Sequence, residues 1–336
     1  MPGSKAQRNR RRRAGYAGPL LLAALWMLVL PADWATGQPG AVVMQEKARL
    51  NRLAFAPGVS GEYTFDTGLL RGKLRQGGKS LGLSGVVHAA SGARVDRGVG
   101  ILSTYRVFTT DKRHWTAGWN CASTARLLSD GAVAVTWPAA EARPFELSTR
   151  YRWNDAQTLD VETTVKAEKD LKNFEVFLAS YFHESLRSPF VYVRENPEAS
   201  GKPGFLAARK SFGDWQMFPR DEDVVEIIRD GRWTKEPHPV DWAIMPHLAA
   251  PVCVRRGGAT DVTVILMAPP EDCFAIATPY EGEGHYSLYL SLFGRDIKAG
   301  RTSTAHSRLV VTKGASDAQV LALYKQYMNQ RATSGR

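Results

Sequence analysis

Two neighbouring stretches constrain this chain more than any other feature. FELSTRYRW (145–153) and TLDVETTVKA (158–167) both alternate apolar and polar side chains, and Asn154-Asp155 between them supplies turn chemistry. A period of two puts every second side chain on the same face. The pair therefore reads as an antiparallel hairpin with one buried and one solvated face. From Gly61 onward the same texture recurs, in short runs punctuated by Gly, Asp and Asn. Leu69–Leu74, Leu81–His88, Val99–Phe108, Ala132–Trp137 and Asn173–Phe182 read as further strands. So do Val252–Arg255, Asp261–Met267, Phe274–Thr278, His285–Phe293 and Thr302–Val311.

About a dozen strands in one run, without alternating βα units, predict a mainly β protein. The expected architecture is a large antiparallel β-sandwich, a supersandwich, over 61–312. SDAQVLALYKQYMNQ closes the chain as a helix capped by Ser316, with Val320, Leu323, Tyr324 and Tyr327 on one stripe. It lies within a C-terminal segment, 313–336. Residues 184–250 have poor periodicity and read as a long irregular excursion, with a short apolar run at Val224–Ile228. GxGxxG, GxxxxGK and GxSxG are all absent, which removes most nucleotide enzymes and α/β-hydrolases.

The first 37 residues read as an export signal. A basic run is followed by eleven apolar residues, Leu20 to Leu30, then Pro31 and a small-x-small site at Ala35-Thr36-Gly37. Eleven residues span about 16 Å as a helix, short of a ~30 Å bilayer core. Counting back to Ala14 gives a marginal anchor, so the alternative is a retained N-terminal segment, the chain's one expected membrane contact. The expected location is periplasmic or secreted. A linker with a helix-compatible piece, Val43 to Phe55, fills 38–60. The net charge of +11 includes six positive and one negative charge before residue 37, which leaves about +6 for the rest. With no basic stripe or nucleic-acid motif, nucleic acid is not an expected partner. Cys253 and Cys273 flank an apparent strand and can pair in an oxidising compartment, or stay as buried thiols with Cys121. No Cys/His spacing fits a metal site, and no cofactor is expected.

Three sets of strings resemble the galactose mutarotase-like, or aldose 1-epimerase-like, supersandwich. Gly68-Leu69-Leu70-Arg71-Gly72 and Gly82-Leu83-Ser84-Gly85-Val86-Val87-His88 resemble its opening strands. Phe174-Glu175-Val176-Phe177-Leu178-Ala179-Ser180-Tyr181-Phe182 resembles its central strand, ending in a Tyr-Phe pair. Leu290-Ser291-Leu292-Phe293-Gly294 with Ala299-Gly300-Arg301-Thr302 resembles its closing strands. The resemblance covers roughly 60–312 and implies a carbohydrate-active or carbohydrate-binding domain. In the epimerases a His just before the Tyr-Phe pair is the acid and a late-strand Glu is the base. Here Ala179 and Ser180 precede Tyr181-Phe182 and His183 follows, so the family's acid for simple mutarotation is missing from its slot.

The candidate catalytic residues are His183, beside Glu184, and Glu281, Glu283 and His285 in YEGEGHYSLYL, where carboxylate and imidazole can share acid–base work. Candidate sugar contacts are His114, Trp115 and Trp119 in DKRHWTAGWN, Trp215 and Trp242 in the excursion, and Arg71 and Arg106 on strands. Trp faces stack on the C–H faces of sugars, and Arg bonds hydroxyls or carboxylates. His238 and His247 with Asp221–Asp223 match no recognised metal-ligand pattern. His88 and His306 read as strand residues. The expected partner is an oligo- or polysaccharide, bound with or without turnover as an epimerase, lyase or hydrolase. The competing reading is an envelope-associated β-sandwich that mediates protein contacts.

Overall fold

A computed structural model describes residues 53–334 apart from 111 and 259. The expected signal, and most of the 38–60 piece with its helix, lie outside the described residues.

The alternating runs assemble into three sheets. Five short strands, from Ala56–Pro57 to Ala93–Arg94, pair in chain order. Nine strands form the second sheet, in the order Gly204–Ala207, Ser188–Val193, Leu248–Arg256, Val262–Met267, Thr302–Lys313, Thr158–Ala167, Phe145–Trp153, Val133–Trp137 and Thr124–Leu127. Seven form the third: Ala243–Ile244, Trp215–Pro219, Cys273–Pro279, Ser287–Ile297, Leu171–Tyr181, Ser103–Thr109 and Lys112–Trp115. The expected hairpin is present in continuous antiparallel register from Phe145↔Ala167 to Trp153↔Leu159. Among the described strands one pair is parallel, Gln216↔Ala243 and Met217↔Ile244.

Alternation decides what each sheet buries. On Phe145–Trp153 the odd-numbered residues face the core and the even-numbered residues, Glu146 to Arg152, face outward. On the central strand Leu171–Tyr181 both faces are buried, and they enter different cores. Phe174, Val176 and Leu178 meet the nine-stranded sheet, with Phe174 edge-on to Phe145 at 5.2 Å. Phe177 and Ala179 project from the opposite face, under the excursion. Each fully buried Leu, Val or Phe contributes about 1.5–3 kcal/mol of transfer free energy, which fixes the register.

The C-terminal helix Asp317–Ser334 carries the cap its sequence predicts. Gln319 N donates to Ser316 Oγ at 3.4 Å, and Ser316 N donates to Gln319 Oε1 at 2.8 Å, a reciprocal capping box. Val320 and Tyr327 are buried on Val252, Val254, Ile265 and Val310 of the nine-stranded sheet. No described helix is long and apolar enough to cross a membrane.

One expectation needs correction. Residues 184–250 are not wholly irregular: they hold strands Ser188–Val193, Gly204–Ala207, Trp215–Pro219 and Ala243–Ile244, and the helix Asp223–Ile228. These strands are short and all four lie at or next to sheet edges, where little periodicity is required. The DKRHW run is also a strand, Lys112–Trp115, on the edge of the seven-stranded sheet. The cysteines are free thiols: Cys253 and Cys273 are buried in different sheets and Cys121 is half-buried.

Candidate functional site

The outer face of the seven-stranded sheet is paved with aromatics, and three local features put them there. The first is a bulge. Phe177 pairs with Arg106 but Leu178 pairs with Thr104, leaving Tyr105 as an extra residue. Thr104 and Val107 point into the sandwich, while Tyr105 and Arg106 both turn outward into the cleft. The second is the 3-10 turn Gly118–Asn120. A Cβ on Gly118 would lie 2.7 Å from the Thr104 carbonyl, so glycine lets the turn close. Trp119 then stacks on Tyr105 at 4.7 Å and 9°.

The third is a buried ion network. Arg232, fully buried, donates to Glu175 Oε2 at 2.9 Å and to Asp230 Oδ2 at 2.7 Å. Burial opposes its charge, yet the Asp230 hydrogen bonds and the Glu175 field raise Arg232 above its ordinary value. Burial pushes the Glu175 carboxyl up, and Arg232 works against that rise. Glu175 stands on the central strand, so the pair ties the excursion to the sheet beside Trp233.

The result is a cleft of about 410 Å³. Tyr105, Arg106, Phe177, Tyr181 and Tyr289 come from the sheet; Trp233, His238 and Trp242 come from the excursion; Trp215 and His285 stand at its rim. Trp242 is edge-on to Trp215 at 5.9 Å and to Trp233 at 5.2 Å, while Phe177 stacks on Tyr289 at 4.7 Å. Burial raises the Tyr181 phenol to about 12 and Tyr289 well above its ordinary value, so both stay neutral hydrogen-bonding groups at pH 7. A second depression of about 480 Å³ shares Tyr181 and His285 with the first and adds Arg97, Trp119 and Glu283. At their junction Glu283 Oε1 lies 2.6 Å from His285 Nδ1, and Glu283 Oε2 accepts from His285 N at 2.9 Å. A carboxylate at this distance accepts from an Nδ1–H and so orients the imidazole ring.

Of the residues singled out by sequence, Arg106, Trp119, Trp215, Trp242, Glu283 and His285 therefore converge. Five others stand apart. Trp115 is 6 % exposed and packs on Trp137 and Phe145, so it is a core residue. His114 lies within hydrogen-bonding distance of Thr109 Oγ1, at 3.0 Å, and meets Phe145 edge-on, away from the cleft. Burial depresses it to about 4. Arg71 is exposed on the five-stranded sheet. His183 follows the end of the central strand, its Nδ1 3.0 Å from Ser185 Oγ, and lines neither depression. Glu281 is exposed and anchors only its backbone, to Ala208 O.

His247 faces Glu222 at 3.4 Å in a separate depression, whereas His238 lines the aromatic cleft. No group of three or more His, Cys, Asp or Glu that could hold a metal occurs among the described residues.

The sequence reading did not select Tyr105, Phe177, Trp233 or Tyr289 as contacts, and considered His238 only as a metal ligand. Tyr289 carried a usable signal, since it alternates with Leu288 and Leu290 on a strand whose other face is core. Tyr105 carried none, because a bulge reverses its side.

No family model matches the chain, and no curated protein matches it. Among solved structures it is similar to a putative aldose 1-epimerase from Escherichia coli, at 14% identity and TM-score 0.42, over 75% of this chain and 99% of that one. A galactose mutarotase-like protein from Lactobacillus casei matches at 12% and 0.45, over 75% and 100%. An alpha-N-acetylgalactosaminidase from Bifidobacterium bifidum matches at 11% and 0.45, over 82% of this chain but 39% of that one. The first two belong to the class named by the sequence resemblance.

Proposed function

We propose that this chain is an exported carbohydrate-binding protein whose ligand lies in the aromatic cleft. The observation that carries the reading is the cleft itself. Trp215, Trp242 and Tyr105 present ring faces and edges around a space of sugar size, with His238, His285 and Arg106 as polar groups. Apolar walls with a few convergent polar groups are the usual composition of a small-molecule site. Sugars suit it because their C–H faces stack on rings while their hydroxyls need donors and acceptors.

A second reading is favoured by the Glu283–His285 contact at 2.6 Å. Glu283 orients the ring, and His285 Nε2 takes or gives a proton on a sugar bound against Trp215, whose ring centroid lies 5.4 Å from that of His285.

A glycan-array screen, with product analysis of every hit by mass spectrometry and NMR, tests both. Binding without change supports the binding protein, and a consumed or isomerised hit supports the enzyme. In the second case His285→Ala abolishes turnover and spares binding. Absence of any glycan hit contradicts the proposal and favours the protein-contact alternative.

A further inference from the structure

We infer that the ligand is an anionic sugar, one bearing a carboxylate or a sulfate ester, and that Arg106 is the group that selects it. The inference rests on the carbohydrate reading above and goes beyond it by naming the substrate class. Arg106 is 2 % exposed, yet no carboxylate is bonded to it. Its Nη2 donates to the His238 carbonyl at 3.0 Å and to the Tyr105 hydroxyl at 3.4 Å. Its Nε and Nη1 have no partner among the described residues. The guanidinium lies against the Tyr105 and Trp233 rings, at 5.0 and 5.4 Å.

A buried cation normally has a paired anion, because ring faces and one carbonyl replace only part of its hydration. Two other buried guanidiniums show how the charge is met elsewhere: Arg232 has two carboxylates, and Arg255 donates to three backbone carbonyls, of Leu186, Arg187 and Ser287. Arg106 has only one carbonyl and one hydroxyl, its Nε and Nη1 are buried without a partner among the described residues, and the residue lines the cleft. Nor does the rim supply the missing charge. Glu283, the carboxylate of the adjoining depression, is engaged by His285. Arg97, exposed beside it, donates one bond to the Gly284 carbonyl at 2.8 Å and adds a second cation. A ligand carboxylate or sulfate meets both needs, since charge-assisted hydrogen bonds to a planar guanidinium are strong and directional.

The test is an array of full-length protein against glycans in matched sets: neutral, uronate-containing and sulfated forms of the same backbones. Binding is expected to concentrate in one or both anionic sets, to weaken as salt rises, and to show which anion is preferred. Arg106→Gln is expected to lose about tenfold or more toward anionic hits with little change toward neutral ones. Arg106→Lys is expected to recover part of the loss. Because Arg106 is buried, Arg97→Gln provides a second variant at an exposed position, expected to weaken anionic hits by a few-fold. Hits confined to neutral glycans, or equal losses on both sets, overturn the charge assignment and leave the carbohydrate reading standing. No glycan hit at all removes both.

Discussion

Arg232, Glu175 and Asp230 show how a charge inside the molecule shapes a surface outside it. Glu175→Gln leaves Arg232 held by Asp230 alone, so the cost is that of one charge-assisted hydrogen bond, expected to be about 1.5–3 kcal/mol in urea unfolding. It is also expected to loosen the turn carrying Trp233, read as faster hydrogen exchange over 230–242. In the cleft, Trp242→Ala removes a wall between Trp215 and Trp233, and glycan affinity is expected to fall about tenfold, measured by calorimetry. His114, which lies away from the cleft, offers a test through pH. Its folded value of about 4 lies below the ordinary 6.5, so between these values the unfolded chain binds a proton that the native one does not. Stability is therefore full above pH 6.5 and falls as pH drops toward 4, by about 1–3 kcal/mol. His114→Gln should lose less than the wild type between about pH 7 and about pH 4.5 in matched urea titrations. Equal losses would refute this origin.

At the scale of elements, legibility followed periodicity. The hairpin 145–167 was readable to the residue because each side chain has one strict environment, core or water. The closing helix was equally plain, since Ser316, Gln319 and the Val320 stripe agree. Ser188–Val193 alternates half-buried and buried residues, but Pro189 within so short a run hides the strand signal. The Tyr105 bulge was not legible, because one inserted residue changes the face without changing the composition. The same limit explains the site. Trp119, Trp215, Trp242, Glu283 and His285 announced themselves by residue type, whereas Trp115 carries the same signal and lies in the core. Only the fold separates them.

Across the whole molecule, three sheets divide the work. The nine- and seven-stranded sheets bury the main core between them, and the outer face of the seven-stranded sheet is left to carry the cleft. The two innermost cysteines belong to the packing: burial raises the Cys253 thiol well above its ordinary value and Cys273 to about 12. Native protein is thus expected to resist thiol reagents at both positions, and unfolded, unreduced protein to titrate three thiols. One free thiol after unfolding would instead reveal a Cys253–Cys273 bond. Export is a separate proposal, checked by N-terminal sequencing: a mature start near residue 38 agrees with it, and an intact Met1 in a membrane fraction supports the retained anchor. The central claim is that the aromatic cleft is where a sugar binds. A crystal structure of the chain with its strongest array ligand tests it most directly. The account predicts a pyranose ring packed on Trp215 or Trp242, with an acidic substituent toward Arg106. A ligand seated elsewhere, such as the groove between His306 and Tyr327, would contradict it.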